Sequence, residues 1–74
     1  MPKLGVFSGQ EVCSILATAG FVLVRSRGSH AVMQGMDADG ASHTVPVPLH
    51  SEVRKGTLKS IIRQSGLDQA LFMR

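Results

Sequence analysis

The sequence predicts an α+β fold in the order helix, strand, strand, strand, helix, and three observations carry that prediction. Ser8 followed three residues later by Glu11 is a capping box, and Val12, Ile15, Leu16 and Ala19 then recur at helical spacing. From Phe21 to Val47 the chain turns to branched and aromatic residues, interrupted by Gly28-Ser29 and by Asp37-Ala38-Asp39-Gly40. Past Thr57 the helical spacing returns in Leu58, Ile61 and Ile62, and Gly66 stops it. Three strands joined by two short turns make an antiparallel meander, and two helices with one apolar stripe each cover one face of it.

Each element follows from local chemistry. After a short lead-in from Met1 to Phe7, the first helix is expected at about residues 8–19, with Gly20 as its C-terminal cap. The strands are expected at 21–27, 30–36 and 41–47. Gly28-Ser29 makes the first hairpin, and Gly40 supplies the residue tolerant of positive φ in the second turn. Pro46 and Pro48 have no N–H to give a ladder, which puts the end of the third strand at a sheet edge. A polar loop runs from Leu49 to Gly56, Thr57 is the expected N-cap of the second helix, and a final turn from Asp68 to Phe72 tucks Leu71 and Phe72 against the core. Residues 1–74 read as a single domain.

Size and composition narrow the chemistry. A chain of 74 residues buries only ~60–65% of the surface its unfolded form exposes, leaving little room for a deep cavity. An extended or polymeric ligand on a surface is the better expectation. The lone Cys13 excludes an internal disulfide framework, and one thiol with scattered histidines spells no zinc site, so neither metal nor other cofactor is expected. Within a helical pattern Cys13 reads as a small buried hydrophobe. The longest apolar run, Phe21-Val22-Leu23-Val24, is far short of the ~20 residues of a membrane span. Nothing at the N-terminus reads as a signal peptide, so a reducing cytoplasm is the expected compartment.

The net charge is +3, a modest excess, but its distribution is informative. The bases gather as Arg25 and Arg27 and again as Arg54, Lys55, Lys59 and Arg63, while Asp37, Asp39 and Asp68 sit in turns and Glu11 opens a helix. Clustered base with dispersed acid favours a polyanion. With three Phe and no Trp or Tyr, a platform of stacked bases is disfavoured.

The stretch Arg25-Ser26-Arg27-Gly28-Ser29-His30 concentrates what chemistry there is. Arg25 and Arg27, two apart in an extended segment, point to one side, and they run into a turn that ends on His30, a residue type able to exchange protons. A histidine opening a strand is most often a tolerated polar residue, and the arginines then merely solvate the sheet. Alternatively they hold a phosphodiester beside the imidazole, with Ser29 orienting it or donating to phosphate. His50, in the loop past Pro48, is a candidate second acid or base; spacing does not reveal its distance from His30. His43 reads as structural or incidental and Glu52 as solvated. No carboxylate pair suggests glycosidase or two-metal chemistry. The Lys59/Arg63 stripe is either the wet face of a helix or a phosphate-binding surface.

Three segments in order, Gly28-Ser29-His30, then Val45-Pro46-Val47-Pro48-Leu49-His50, then Gly56-Thr57-Leu58-Lys59-Ser60-Ile61-Ile62-Arg63-Gln64-Ser65-Gly66-Leu67, resemble the HicA (YcfA-like) toxins, mRNA interferases of type II toxin–antitoxin systems in bacteria and archaea. The resemblance covers essentially the whole chain. It implies a double-stranded-RNA-binding-like fold, cleavage of mRNA that arrests translation, His30 of the GSH motif as the essential residue, and a HicB-like antitoxin as partner. The roles of Arg25, Arg27, Ser29, His50 and the helix bases rest on their chemistry alone. The expected function is a metal-independent endoribonuclease, the toxin of such a system. The alternatives are a non-catalytic RNA-binding module on the same basic surface, or a protein-interaction domain whose charge serves an acidic partner.

Overall fold

The computed structural model describes residues 3–73; Met1 and Pro2 of the lead-in lie outside the described residues. Its elements are α1 (Gly9–Thr18), β1 (Val22–Arg27), β2 (His30–Met36), β3 (Ser42–Pro48), α2 (Lys55–Ser65) and a 3₁₀ turn at Gln69–Phe72. The strands form one antiparallel sheet in the order β1-β2-β3. The expected α-β-β-β-α order is therefore the observed one.

The capping box forms as its residues dictate. Glu11 N–H donates to Ser8 Oγ at 3.1 Å, and Ser8 N–H donates to Glu11 Oε1 at 2.9 Å. Two free donors at the start of α1 are thereby satisfied. At the second helix the expectation fails. Thr57 is not the N-cap: α2 begins three residues earlier than expected, at Lys55, with Arg54 in the cap position and no side chain capping it. Gly66 ends α2 in the left-handed conformation, as expected, with φ of 71°.

Alternation along β2 separates two faces. Ala31 and Met33 are buried and pair with Val47 and Val45 of β3, which are also buried. This face packs under both helices, against Val12 and Leu16 of α1 and Leu58, Ile61 and Ile62 of α2. Phe7 and Phe72 meet edge to face, with centroids 6.5 Å apart, and their segments are tied by Gly5 N–H to Phe72 O at 2.8 Å. Phe21 precedes β1 rather than opening it, and its ring lies over Gly35. A Cβ at Gly35 would stand 2.4 Å from that ring, so only glycine fits there.

The other face, carrying His30, Val32, Gln34 and Met36 of β2, has no helix over it. β1 reaches it through a bulge. Leu23 pairs with Met33 but Arg25 pairs with Val32, so Val24 is an extra residue in the ladder. The bulge leaves Leu23 on the helix side and turns Arg25 and Arg27 onto the open face. Gly28 alone of the two hairpin residues has positive φ, 58°, which matches a type II′ turn.

Candidate functional site

His30 is the first residue of β2, exposed, and flanked on both sides within the sheet. Arg27 is its cross-strand partner on β1 and Pro48 its partner on β3. Arg25 pairs with Val32, the next open-face residue of β2. The register thus puts both arginines on one face with His30, and Arg27 directly beside it. Side chains directly opposite on antiparallel strands have Cβ atoms ~4.5–5.5 Å apart, so Arg27 and His30 leave the sheet side by side.

On its other side His30 opens into a cleft of 610 Å³ between the end of β3 and α2. Pro46 and Pro48 line the strand wall, His50, Glu52 and Arg54 come from the β3–α2 loop, and Thr57, Ser60 and Gln64 come from the helix. Val53 and Ile61, both buried, close its floor. His30 and His50 therefore face the same cleft, a proximity that sequence spacing did not reveal.

Backbone hydrogen bonds set where His50 stands. Leu49 N–H donates to Ser29 O at 2.6 Å, which joins the exit of β3 to the hairpin beside His30. Gly9 N–H donates to His50 O at 2.9 Å, so the start of α1 holds the same segment from the far side. These contacts also explain the prolines. With Leu49 N–H directed at the hairpin, the alternate nitrogens of Pro46 and Pro48 face outward along the free edge of β3, where no ladder needs a donor.

The remaining candidates are distributed around this centre. Ser29 is exposed in the hairpin and does not line the cleft; Arg25 and Arg27 stand on the open sheet face. Arg54 lines the cleft, whereas Lys55, Lys59 and Arg63 are exposed outside it. Arg63 Nη2 comes within 3.5 Å of Ser60 Oγ, leaning toward the cleft rim. Glu52 is exposed as expected, but it also faces the cleft. Thr57, Ser60 and Gln64 were missed as site residues. Their spacing of three, four and seven along a helix was the available signal, since it puts them on one face.

His43 is structural. Its Nε2 donates to Asp37 Oδ2 at 2.7 Å, across the β2–β3 turn. That hydrogen bond, helped by the N–H groups of Ala41 and Asp39 on the same carboxylate, holds the Asp37 carboxyl below its ordinary pKa. Cys13, within α1, is partly buried against the core, and burial pushes its thiol up, away from the thiolate a nucleophile needs. Among the described residues no three His, Cys, Asp or Glu side chains converge on a point where a metal could sit, and no helix is long and apolar enough to cross a membrane.

Comparison with curated proteins finds no match. The model of one protein family, described as the HicA toxin of bacterial toxin–antitoxin systems, matches residues 9–67. That span runs from the first residue of α1 to just past the glycine that caps α2, and it includes the open-face arginines, the hairpin, His30 and the whole cleft. The chain belongs to the HicA toxin family of bacterial toxin–antitoxin systems.

Proposed function

We propose that this toxin is a metal-independent endoribonuclease that cleaves mRNA, with His30 exchanging a proton with the reacting ribose phosphate. One observation carries the reading: His30 stands where two basic surfaces meet. Arg25 and Arg27 flank it on the open sheet face, and Arg54 lines the cleft it opens into. A phosphodiester drawn to either surface lies against the imidazole.

RNA offers its own nucleophile, the ribose 2′-hydroxyl. Cleavage needs that hydroxyl deprotonated, the leaving 5′-oxygen protonated, and the charge gathering on phosphorus offset. A positioned imidazole supplies a proton transfer worth on the order of 10²–10⁴-fold in rate. Arg25 and Arg27 supply the electrostatic part, which often exceeds it. Ser29, in the turn next to His30, is placed to donate to a non-bridging phosphate oxygen. Lys55, Lys59 and Arg63, with Arg54, carry the strand across its other phosphates. The antitoxin of such a system, here of the HicB kind, silences the toxin by covering His30 and the basic surfaces. Action on mRNA places the protein in the cytoplasm.

The test is purified protein with an in vitro transcribed mRNA in EDTA. Scission by the parent chain and none by His30→Ala is the expected result. The variant should fold normally, since changing an exposed side chain usually alters stability by less than about 0.5 kcal/mol. Intact RNA with the parent chain refutes the nuclease. Salt-sensitive binding without scission would make the chain an RNA-binding module instead.

A further inference from the structure

We infer that His50 is a second acid–base group of the same cleft, acting on the ribose phosphate from the β3–α2 loop, two residues past the strand partner of His30. The inference rests on the nuclease reading above and adds to it the missing half of the proton transfers.

The argument begins with stereochemistry. Attack by the 2′-oxygen forms a bond to phosphorus as the bond to the 5′-oxygen breaks. The two oxygens lie roughly in line on opposite sides of phosphorus. The proton leaves the 2′-oxygen on one side and a proton is delivered to the 5′-oxygen on the other. The products are a 2′,3′-cyclic phosphate and a free 5′-hydroxyl, with no net proton consumed. A single imidazole anchored on a strand does not reach both oxygens at once. Two imidazoles that enter one cleft from different segments do.

The chain places a second imidazole there and holds it. His30 and Pro48 are cross-strand partners, and because Leu49 N–H bonds Ser29 O the register makes them a non-hydrogen-bonded pair, whose Cα atoms lie ~4.5 Å apart. His50 follows Pro48 by two residues, at most ~7 Å further along the chain. Both side chains face the 610 Å³ cleft, and the segment between them is pinned by the Leu49–Ser29 and Gly9–His50 backbone hydrogen bonds. Such anchoring keeps two reacting groups at a fixed separation, the condition under which positioning contributes to rate.

The charged and titratable groups around His50 are few. Glu52 and Arg54 face the cleft from its own loop, and His30 faces it from β2 with Arg27 behind. From α2 the polar lining is the neutral Thr57, Ser60 and Gln64, with the Arg63 guanidinium beside Ser60. A pH–rate profile of cleavage therefore reports on His30, His50 and Glu52.

Single-turnover cleavage of a transcribed mRNA in EDTA, measured across pH 5–9, tests the inference. The parent chain should give a bell, falling on both sides. His50→Ala and His50→Gln should each lower the rate by about 10²- to 10⁴-fold and remove one limb, while RNA binding stays within about threefold. An oligonucleotide carrying a cleavage site mapped on that transcript, with sulfur in place of the bridging 5′-oxygen, needs no acid at its leaving group. It should restore the rate of whichever histidine variant has lost the acid. His50 variants that keep both limbs and cleave within about threefold of the parent, while His30→Ala is inactive, overturn the role of His50 and leave the nuclease reading standing. So does a limb that disappears in Glu52→Gln rather than in His50→Ala, or a sulfur substrate that rescues neither histidine variant. No cleavage by the parent chain overturns both.

Discussion

Replacing Gly9 by alanine should unseat the loop that carries His50. Gly9 is the first residue of α1 and is buried against the exit of β3. A Cβ there would lie 2.1 Å from Pro48 O and 2.7 Å from Leu49 Cα. Both are backbone atoms, so no side-chain rotation relieves the clash. The loop must move away, and the hydrogen bond from Gly9 N–H to His50 O stretches with it. Overpacking costs ~1–3 kcal/mol, the upper half applying when backbone must shift. A lost hydrogen bond adds ~0.5–1.5 kcal/mol, and the better helix propensity of alanine returns at most ~1 kcal/mol. The net loss is about 2–3 kcal/mol, equivalent to a fall in Tm of ~10–20 °C for a domain of this size. Gly56→Ala is the control. Gly56 lies in α2 with nothing within 4 Å of where a Cβ would stand and no positive φ, so the same substitution should stabilise by up to ~1 kcal/mol. Urea unfolding followed by circular dichroism reads both. A Gly9→Ala variant within about 0.5 kcal/mol of the parent, or a Gly56→Ala variant destabilised as much as Gly9→Ala, would refute the close packing of α1 on the Pro48–His50 segment.

Two further substitutions test the scaffold. Ser8→Ala removes the acceptor of the capping box at α1, and thermal melts should show a loss of ~1 kcal/mol. Asp37→Asn removes the carboxylate that His43 holds. Because the folded carboxyl titrates below its unfolded value, its contribution to stability is complete above the usual carboxylate pKa of ~3.9 and is lost as pH falls through the lower folded value. The parent should therefore exceed Asp37→Asn by a constant margin from pH 6 to about 5, and the margin should shrink in stronger acid, as read from urea midpoints at each pH. A margin unchanged down to pH 2 would show that the carboxylate charge is not what stabilises the turn.

Local patterns carried most of the fold. The Ser8/Glu11 capping box, the apolar spacing of Val12 and Leu16, and the glycines at turns and helix ends each act over a few residues, so their consequences are visible without tertiary contacts. The start of α2 was not legible in the same way. Thr57 has the chemistry of an N-cap, but burial of Leu58, Ile61 and Ile62 fixes the helix in space, and the chain takes up helical geometry from Lys55 with no side-chain cap at all. Tertiary packing outweighed a capping preference worth ~1 kcal/mol. The cleft was half legible. His30 and His50 were recognisable as titratable residues beside basic ones, whereas Thr57, Ser60 and Gln64 are inconspicuous until the helix face they share is known to turn toward β3.

The sequence by itself determined the order of elements, the antiparallel meander and the clustering of base around one histidine, because each depends on spacings within a single turn, hairpin or helix. Tertiary structure alone decided which groups meet. The bulge at Val24 puts Leu23 on the helix face with Met33 and Arg25 and Arg27 on the open face with His30. Strict alternation would have placed Leu23 on the same side as both arginines. The Gly9 and Ser29 contacts then bring His50 to the cleft where His30 stands. The physical reason is that register and loop placement are chosen by long-range burial and hydrogen bonding, which join residues that spacing along the chain keeps apart.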